Sequence, residues 1–132
     1  MQKSYLTDQD LDLLKQHGKT AQYSPDQVIL QQDTQPDSIY YICSGMVKVD
    51  FSHVYNTDVL AYLRAGEFVG EVSFLDGGDS SASVSAVKEV EMLELSRKDL
   101  DALFDADPGL AARFFHTIAT TLATRIRASN SQ

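Results

Sequence analysis

Between Tyr23 and Ser96 the chain keeps changing direction. Turn signals stand at SPD (24–26), QPD (35–37), SG (44–45), YNTD (55–58) and AGE (65–67). Between them lie short runs rich in β-forming residues. These are Val28-Ile29-Leu30, Ser38-Ile39-Tyr40-Tyr41-Ile42, Met46 to Phe51, and Val59-Leu60-Ala61-Tyr62-Leu63. In the third, Val47, Val49 and Phe51 alternate with Lys48 and Asp50, which predicts one face inward and the other outward. Ala82, Val84 and Ala86 alternate with Ser81, Ser83 and Ser85, and residues 89–95 supply a last strand. The intervening stretches are too short for the helical crossovers that parallel strands need. Many short, evenly spaced strands predict an antiparallel β-barrel or jelly roll.

Helical signals flank this region. TDQDLDLLKQH (7–17) opens on a Thr N-cap candidate and acidic residues, carries Lys15 in its last turn and stops at Gly18. After the strands, Ser96-Arg97-Lys98-Asp99 has capping-box spacing, and Asp107-Pro108 is an N-cap and N1 pair. From there Ala111, Phe115, Ile118, Leu122 and Ile126 recur at helical spacing, with Phe114 and Ala119 widening the apolar stripe. A long terminal helix of about 18–20 residues follows, near 30 Å. Its surplus apolar face predicts packing on the barrel or a homodimer through this helix. At 132 residues the chain reads as a single domain over 1–132, with the barrel about 20–96 and C-terminal helices about 97–128.

Composition removes several functions. The net charge is −8, and the basic residues are scattered apart from Arg113, Arg125 and Arg127. A nucleic-acid binder draws affinity from a basic face, so direct DNA or RNA binding is not expected. The stretch MQKSYLTDQD lacks the apolar core of a signal peptide, no apolar run approaches membrane-spanning length, and the lone Cys43 reads as a buried small hydrophobe. A cytoplasmic protein with no membrane contact is expected. His17, His53 and His116 have no metal-ligand partners at the required spacing, and Asp76-Gly77-Gly78-Asp79 lacks the ligands of a calcium loop. We find no candidate catalytic residue, no metal site and no cofactor motif, and the chain is not expected to be an enzyme.

One stretch stands apart: GEFVGEVSFLDGGDSSASVSA, 66–86. Glycines at 66 and 70 free the backbone for tight turns. Residues 70–75 have the make-up of a one- or two-turn helix, whose start presents free N–H groups. Glu71 would repel a phosphate there but would accept from a neutral hydroxyl such as a ribose 2′-OH. Taken alone, a Gly-rich turn in a β-protein is also an ordinary turn.

The segments SIYYICSGMVKV (38–49), LAYLRAGEFVGEVSFLDGG (60–78) and SASVSAVKEVEMLELS (81–96), with the terminal helix, resemble the cyclic nucleotide-binding domain family. That family includes catabolite-activator-type regulators, protein kinase A regulatory subunits and cyclic-nucleotide-gated channels. The likeness runs from about Tyr23 to Arg127, and glycines 45, 66 and 70 and Glu71 match the family pattern. It implies that a cyclic nucleotide or related nucleotide is the ligand and that 70–82 is a phosphate-binding cassette. It further implies that Glu71 binds the ribose hydroxyl, that Gly70 lets the backbone approach the sugar, and that the terminal helix closes over the base. The ligand-binding residues it suggests are Gly70, Glu71, Val72, Ser73, Ser80, Ser81, Ala82 and, for stacking on the base, Arg125.

Two positions depart from the pattern. Asp33 replaces a turn glycine, with an expected effect on turn geometry alone. Ser80 falls where the family has the arginine that pairs with the cyclic phosphate, and a one-residue shift finds Asp79 or Ser81 instead. Arg64 and Lys88 are expected to face solvent. The function expected is therefore a stand-alone regulatory ligand-sensing module for signal transduction, with weak or altered nucleotide binding and an unknown downstream protein partner. The alternative is a family member that binds no ligand and serves dimerisation or protein docking. The sensor part of a truncated transcription regulator ranks last, because the chain stops at Asn130-Ser131-Gln132 without room for a helix-turn-helix.

Overall fold

In a computed structural model the structure describes residues 3–130; the chain end Ser131-Gln132 and the outermost residues of the 1–132 domain assignment lie outside them. The described elements run α1 (Asp8–His17), β1 (Lys19–Tyr23), β2 (Val28–Leu30), β3 (Ser38–Ser44), β4 (Met46–His53), β5 (Asn56–Arg64), β6 (Phe68–Val69), α2 (Glu71–Asp76), β7 (Ser83–Ala86), β8 (Val90–Ser96), α3 (Arg97–Ala106) and α4 (Pro108–Asn130). Two compact units emerge: Gly18–Arg97, and Met1–His17 together with Lys98–Gln132.

The first unit is a pair of four-stranded antiparallel sheets, ordered β1-β8-β3-β6 and β2-β7-β4-β5. This is a jelly-roll sandwich, not a closed barrel. Tyr40, Ile42, Val69, Val90 and Met92 from one sheet meet Leu30, Val47, Leu63, Val84 and Ala86 from the other in a single core. On the opposite face of the first sheet, Ile39, Leu93 and Leu95 are buried as well. A sheet buried on both faces needs apolar residues at successive positions, which is why β3 reads as a run and β8 carries Met92 and Leu93 side by side.

The strands differ from the sequence reading in informative ways. β1 pairs with β8 from Lys19↔Glu94 to Tyr23↔Val90, yet KTAQY shows no apolar alternation because most of it is exposed at a sheet edge. β5 begins at Asn56, inside the expected YNTD turn. The reversal is at Val54-Tyr55, and polar cross-strand contacts extend the ladder: Ser52 Oγ lies 3.0 Å from Thr57 Oγ1, and His53 Nε2 lies 3.2 Å from Asp58 Oδ2. Phe51, expected inward, is 39% exposed near the hairpin tip. Cys43 is half-buried, not fully enclosed, because it sits where the β3–β8 register shifts.

In the second unit α1 starts with a reciprocal capping box. Asp10 N–H donates to Thr7 Oγ1 and Thr7 N–H donates to Asp10 Oδ2, both at 3.0 Å. Asp107 caps α4, its Oδ1 accepting from Leu110 N–H at 3.1 Å. The terminal helix is 23 residues long, longer than expected. Its buried positions are Leu110, Phe114, Thr117, Ile118 and Thr121, while Phe115 and Ile126 are exposed. The apolar stripe read from the sequence is therefore divided: the buried line runs one residue ahead of it, and two threonines extend that line. Thr117 can sit inside because its hydroxyl donates to Arg113 O and accepts from Tyr5 N–H.

Candidate functional site

The loop 70–82 is assembled on the edge of the core. Gly70 follows β6, whose pairing with β3 (Tyr40↔Val69, Tyr41↔Phe68) fixes where the loop starts. Gly70 has φ 85°, a left-handed conformation, and a Cβ there would lie 3.2 Å from Leu30 Cδ1. Only glycine takes that backbone at no steric cost. Leu30 in turn pairs with Val84, so β2 brings the two ends of the loop to one place. The turn after β2 tightens the link. Asp33 N–H donates to Ser80 O at 2.8 Å and Ser80 N–H donates to Thr34 O at 2.7 Å. Gln32 N–H donates to Ser83 Oγ at 2.9 Å.

Asp33 itself has φ 67°. Aspartate is among the few residues that enter the left-handed region with modest strain.

α2 begins at Glu71 and ends at a left-handed Gly77, whose N–H donates to Ser73 O at 2.8 Å. Asp76 Oδ1 accepts from Gly78 N–H at 2.8 Å, so the DGGD stretch is a helix stop followed by an Asx turn. Glu71 and Ser73 are buried, while Val72 is largely exposed. Ser80 is buried with its hydroxyl donated to Ala82 O at 3.1 Å. Ser81 is exposed and Ala82 buried. Gly70, Glu71, Val72, Ser73, Ser80, Ser81 and Ala82 thus belong to one loop held against β2 and β3. Arg125 lies on α4, in the other compact unit, and is half-buried.

Sequence reasoning passed over two neighbours of this loop. Tyr40 Cδ2 lies 4.0 Å from the Cβ position of Gly70, and the Tyr40 hydroxyl is pushed up to about 12 by burial, then by the nearby Glu94 charge and by Tyr23. It stays neutral at physiological pH. Arg97 reaches back to α2: its Nη2 donates to the Phe74 carbonyl, and its guanidinium carbon sits 4.3 Å from the centre of the Phe74 ring. Nothing in the linear sequence pairs Arg97 with Phe74.

Apart from Arg97 at the end of α2, the contacts recorded for positive charge lie away from the loop. Between Gly18 and Arg97 the cations are Lys19, Lys48, Arg64, Lys88 and Arg97. Lys48 Nζ is 3.9 Å from Asp50 Oδ2. Arg64 and Lys88 are exposed, as expected, and line a depression of about 370 Å³ with Gly45, Met46 and Ala65. None of its lining residues belongs to the loop 70–82. Among the described residues no cluster of three or more metal-ligating side chains occurs, and no helix is long and apolar enough to cross a membrane.

The family profile of the cyclic nucleotide-binding domain matches residues 20–107. The chain belongs to the cyclic nucleotide-binding domain family. It is similar to the cyclic AMP receptor protein of Thermus thermophilus, with 34% identity over 123 residues, covering 92% of this chain and 55% of that protein. It is also similar to the cAMP-activated global transcriptional regulator CRP of Salmonella typhimurium, with 29% identity, covering 88% of this chain and 56% of that protein. The chain spans slightly more than half the length of these two relatives. The crystal structure of the Thermus thermophilus catabolite activator protein superposes with a TM-score of 0.80 at 33% identity, covering 95% of this chain and 57% of that one. A cyclic nucleotide-binding domain from Methylobacillus flagellatus shares the fold, with a TM-score of 0.87 at 24% identity, covering 96% and 71%. The sandwich with its flanking helices is thus a cyclic nucleotide-binding domain of the catabolite-activator type, the fold class that the resemblance implied.

Proposed function

We propose that this domain is a non-enzymatic, cytoplasmic ligand-sensing module that binds a cyclic nucleotide or a related nucleotide weakly, or with altered preference. The observation that carries the reading is the division of the loop 70–82. Its first half keeps the left-handed Gly70 and the buried Glu71 at the start of α2. Its second half has Ser80 and Ser81 and no cation. In the family pattern that half holds the arginine for the cyclic phosphate. One charge-assisted hydrogen bond contributes about 1.5–3 kcal/mol, so its loss weakens binding roughly 10- to 150-fold. The net charge of −8 also opposes an anionic ligand. Glu71 serves as acceptor for a sugar hydroxyl, and backbone N–H groups of the loop with Ser81 supply what anion contacts remain. Arg125 is the residue proposed to stack on the base.

The experiment is calorimetric titration with cyclic AMP and cyclic GMP. Wild type is expected to bind at least one of them, and Glu71→Ala to abolish the heat while the melting transition survives. Silence from both nucleotides overturns the reading. Binding that persists in a folded Glu71→Ala variant also overturns it, because the site then lies elsewhere.

A second reading is favoured by one specific observation. Phe115, Ala119, Leu122 and Ile126 share a face of α4, and Phe115 and Ile126 are 42% and 59% exposed. That spacing suits pairing with a second copy. On this reading the domain is a dimerisation or docking module for an unidentified protein partner. The two readings are compatible in a dimeric sensor. The likeness to the cAMP-activated global transcriptional regulator CRP of Salmonella typhimurium supports a third, in which the domain is the sensor part of a transcription regulator.

A further inference from the structure

α2 has six residues, too few to persist in water on helix propensity alone. It carries Glu71, so whatever holds α2 also decides whether Glu71 is presented. At its start, Gly70 O accepts from Phe74 N–H at 3.2 Å, a single turn of helical bonding. At its end Ser73 O takes the N–H of the capping Gly77, the last bond of the helix itself, while Phe74 O takes the Arg97 guanidinium from outside, which also covers the face of the Phe74 ring. A cation there meets the negative end of the helix and stacks on an aromatic face at once. Arg97 is anchored by its own backbone, its N–H donating to Asp37 O at 2.9 Å. It is also the last residue of the sandwich unit and the first residue of α3.

We infer that Arg97 is a positioning residue for the ligand loop: it clamps the C-terminal end of α2, keeps Glu71 in place before any ligand arrives, and ties the loop to the start of α3. The proposal rests on the reading of 70–82 as the ligand loop. Phe74, buried at 4% exposure, is the other half of the clamp. Lysine would not replace Arg97, because a point charge lacks the flat face that stacks and the fork that reaches the carbonyl.

The test is hydrogen exchange read by mass spectrometry on the ligand-free 132-residue chain, with calorimetric titration of cyclic AMP on the same samples. The variants are Arg97→Met, Arg97→Lys, Phe74→Leu and the double variant Arg97→Met with Phe74→Leu. Arg97→Met is expected to speed exchange of the α2 amides about tenfold and to weaken cyclic AMP about tenfold, while β3 and β8 keep their protection. Arg97→Lys is expected to behave like Arg97→Met. The double variant is expected to exchange no faster than Arg97→Met alone. Unchanged α2 exchange in Arg97→Met overturns the inference. So does uniform loss of protection across β3 and β8, which would make Arg97 a general stability residue. So does full rescue by lysine. If wild type binds neither cyclic AMP nor cyclic GMP, the functional reading fails by itself, and the ligand-free exchange still judges the clamp.

Discussion

Asp10 and Arg113, 103 residues apart, form a two-point ion pair: Nε donates to Oδ2 at 2.7 Å and Nη2 donates to Oδ1 at 2.8 Å. The carboxylate side chain is 3% exposed and the guanidinium 39%. Asp10 therefore has three duties: capping α1 through Thr7, pairing with Arg113, and joining the chain's first helix to its last.

This pair makes the protein acid-sensitive over a defined window. The Arg113 hydrogen bond, opposed by burial and helped by Thr7, lowers the Asp10 carboxyl from 3.8 to about 2. A depressed carboxylate pKa contributes stability that is complete above the unfolded value and is lost as pH falls toward the folded one. The melting temperature is expected to fall between about pH 4 and pH 2 and to fall less steeply over that range in Asp10→Asn. At neutral pH, Asp10→Ala is expected to cost about 2–3 kcal/mol, below the roughly 3–5 kcal/mol of a fully buried broken pair, because water can still reach Arg113. Thermal melts against pH check both.

Gly70→Ala carries two penalties, the left-handed backbone at φ 85° and the methyl group 3.2 Å from Leu30 Cδ1. A loss of about 1–3 kcal/mol is expected in chemical denaturation, with nucleotide binding lost along with the position of Glu71.

Asp33→Gly should act in the opposite sense. Asp33 already occupies φ 67°, so glycine relieves strain, partly offset by the freedom it adds to the unfolded chain. A gain of up to about 0.5–1 kcal/mol is expected in denaturant melts, with the Ser80 hydrogen bonds to this turn retained.

Much of this architecture was legible in the sequence. Turn chemistry and alternation gave β2, β3, β4, β7 and β8, and Thr7 and Asp107 marked their helices, because these signals are local. β1 was hidden because its pairing with β8 leaves most of its side chains in solvent. The buried line on α4 was hidden because Thr117 and Thr121 read as polar until their surroundings are known. Of the loop 70–82, the residues were recognisable by family pattern, and Gly70 announced its own backbone. The Arg97–Phe74 clamp, the neutral Tyr40 and the engagement of Ser80 with Ala82 O are tertiary facts. They depend on which carbonyl lies beside which side chain, and residue order does not record that.

The central claim is that the loop keeps its sugar-binding half and lacks only a countercharge. Calorimetric titration of cyclic AMP into Ser80→Arg, beside wild type and an uncharged Ser80→Gln control, tests it most directly. Ser80→Arg is expected to bind roughly 10- to 150-fold tighter than wild type, with Ser80→Gln no tighter. A folded Ser80→Arg variant with unchanged affinity, or an equal gain from glutamine, would contradict the claim.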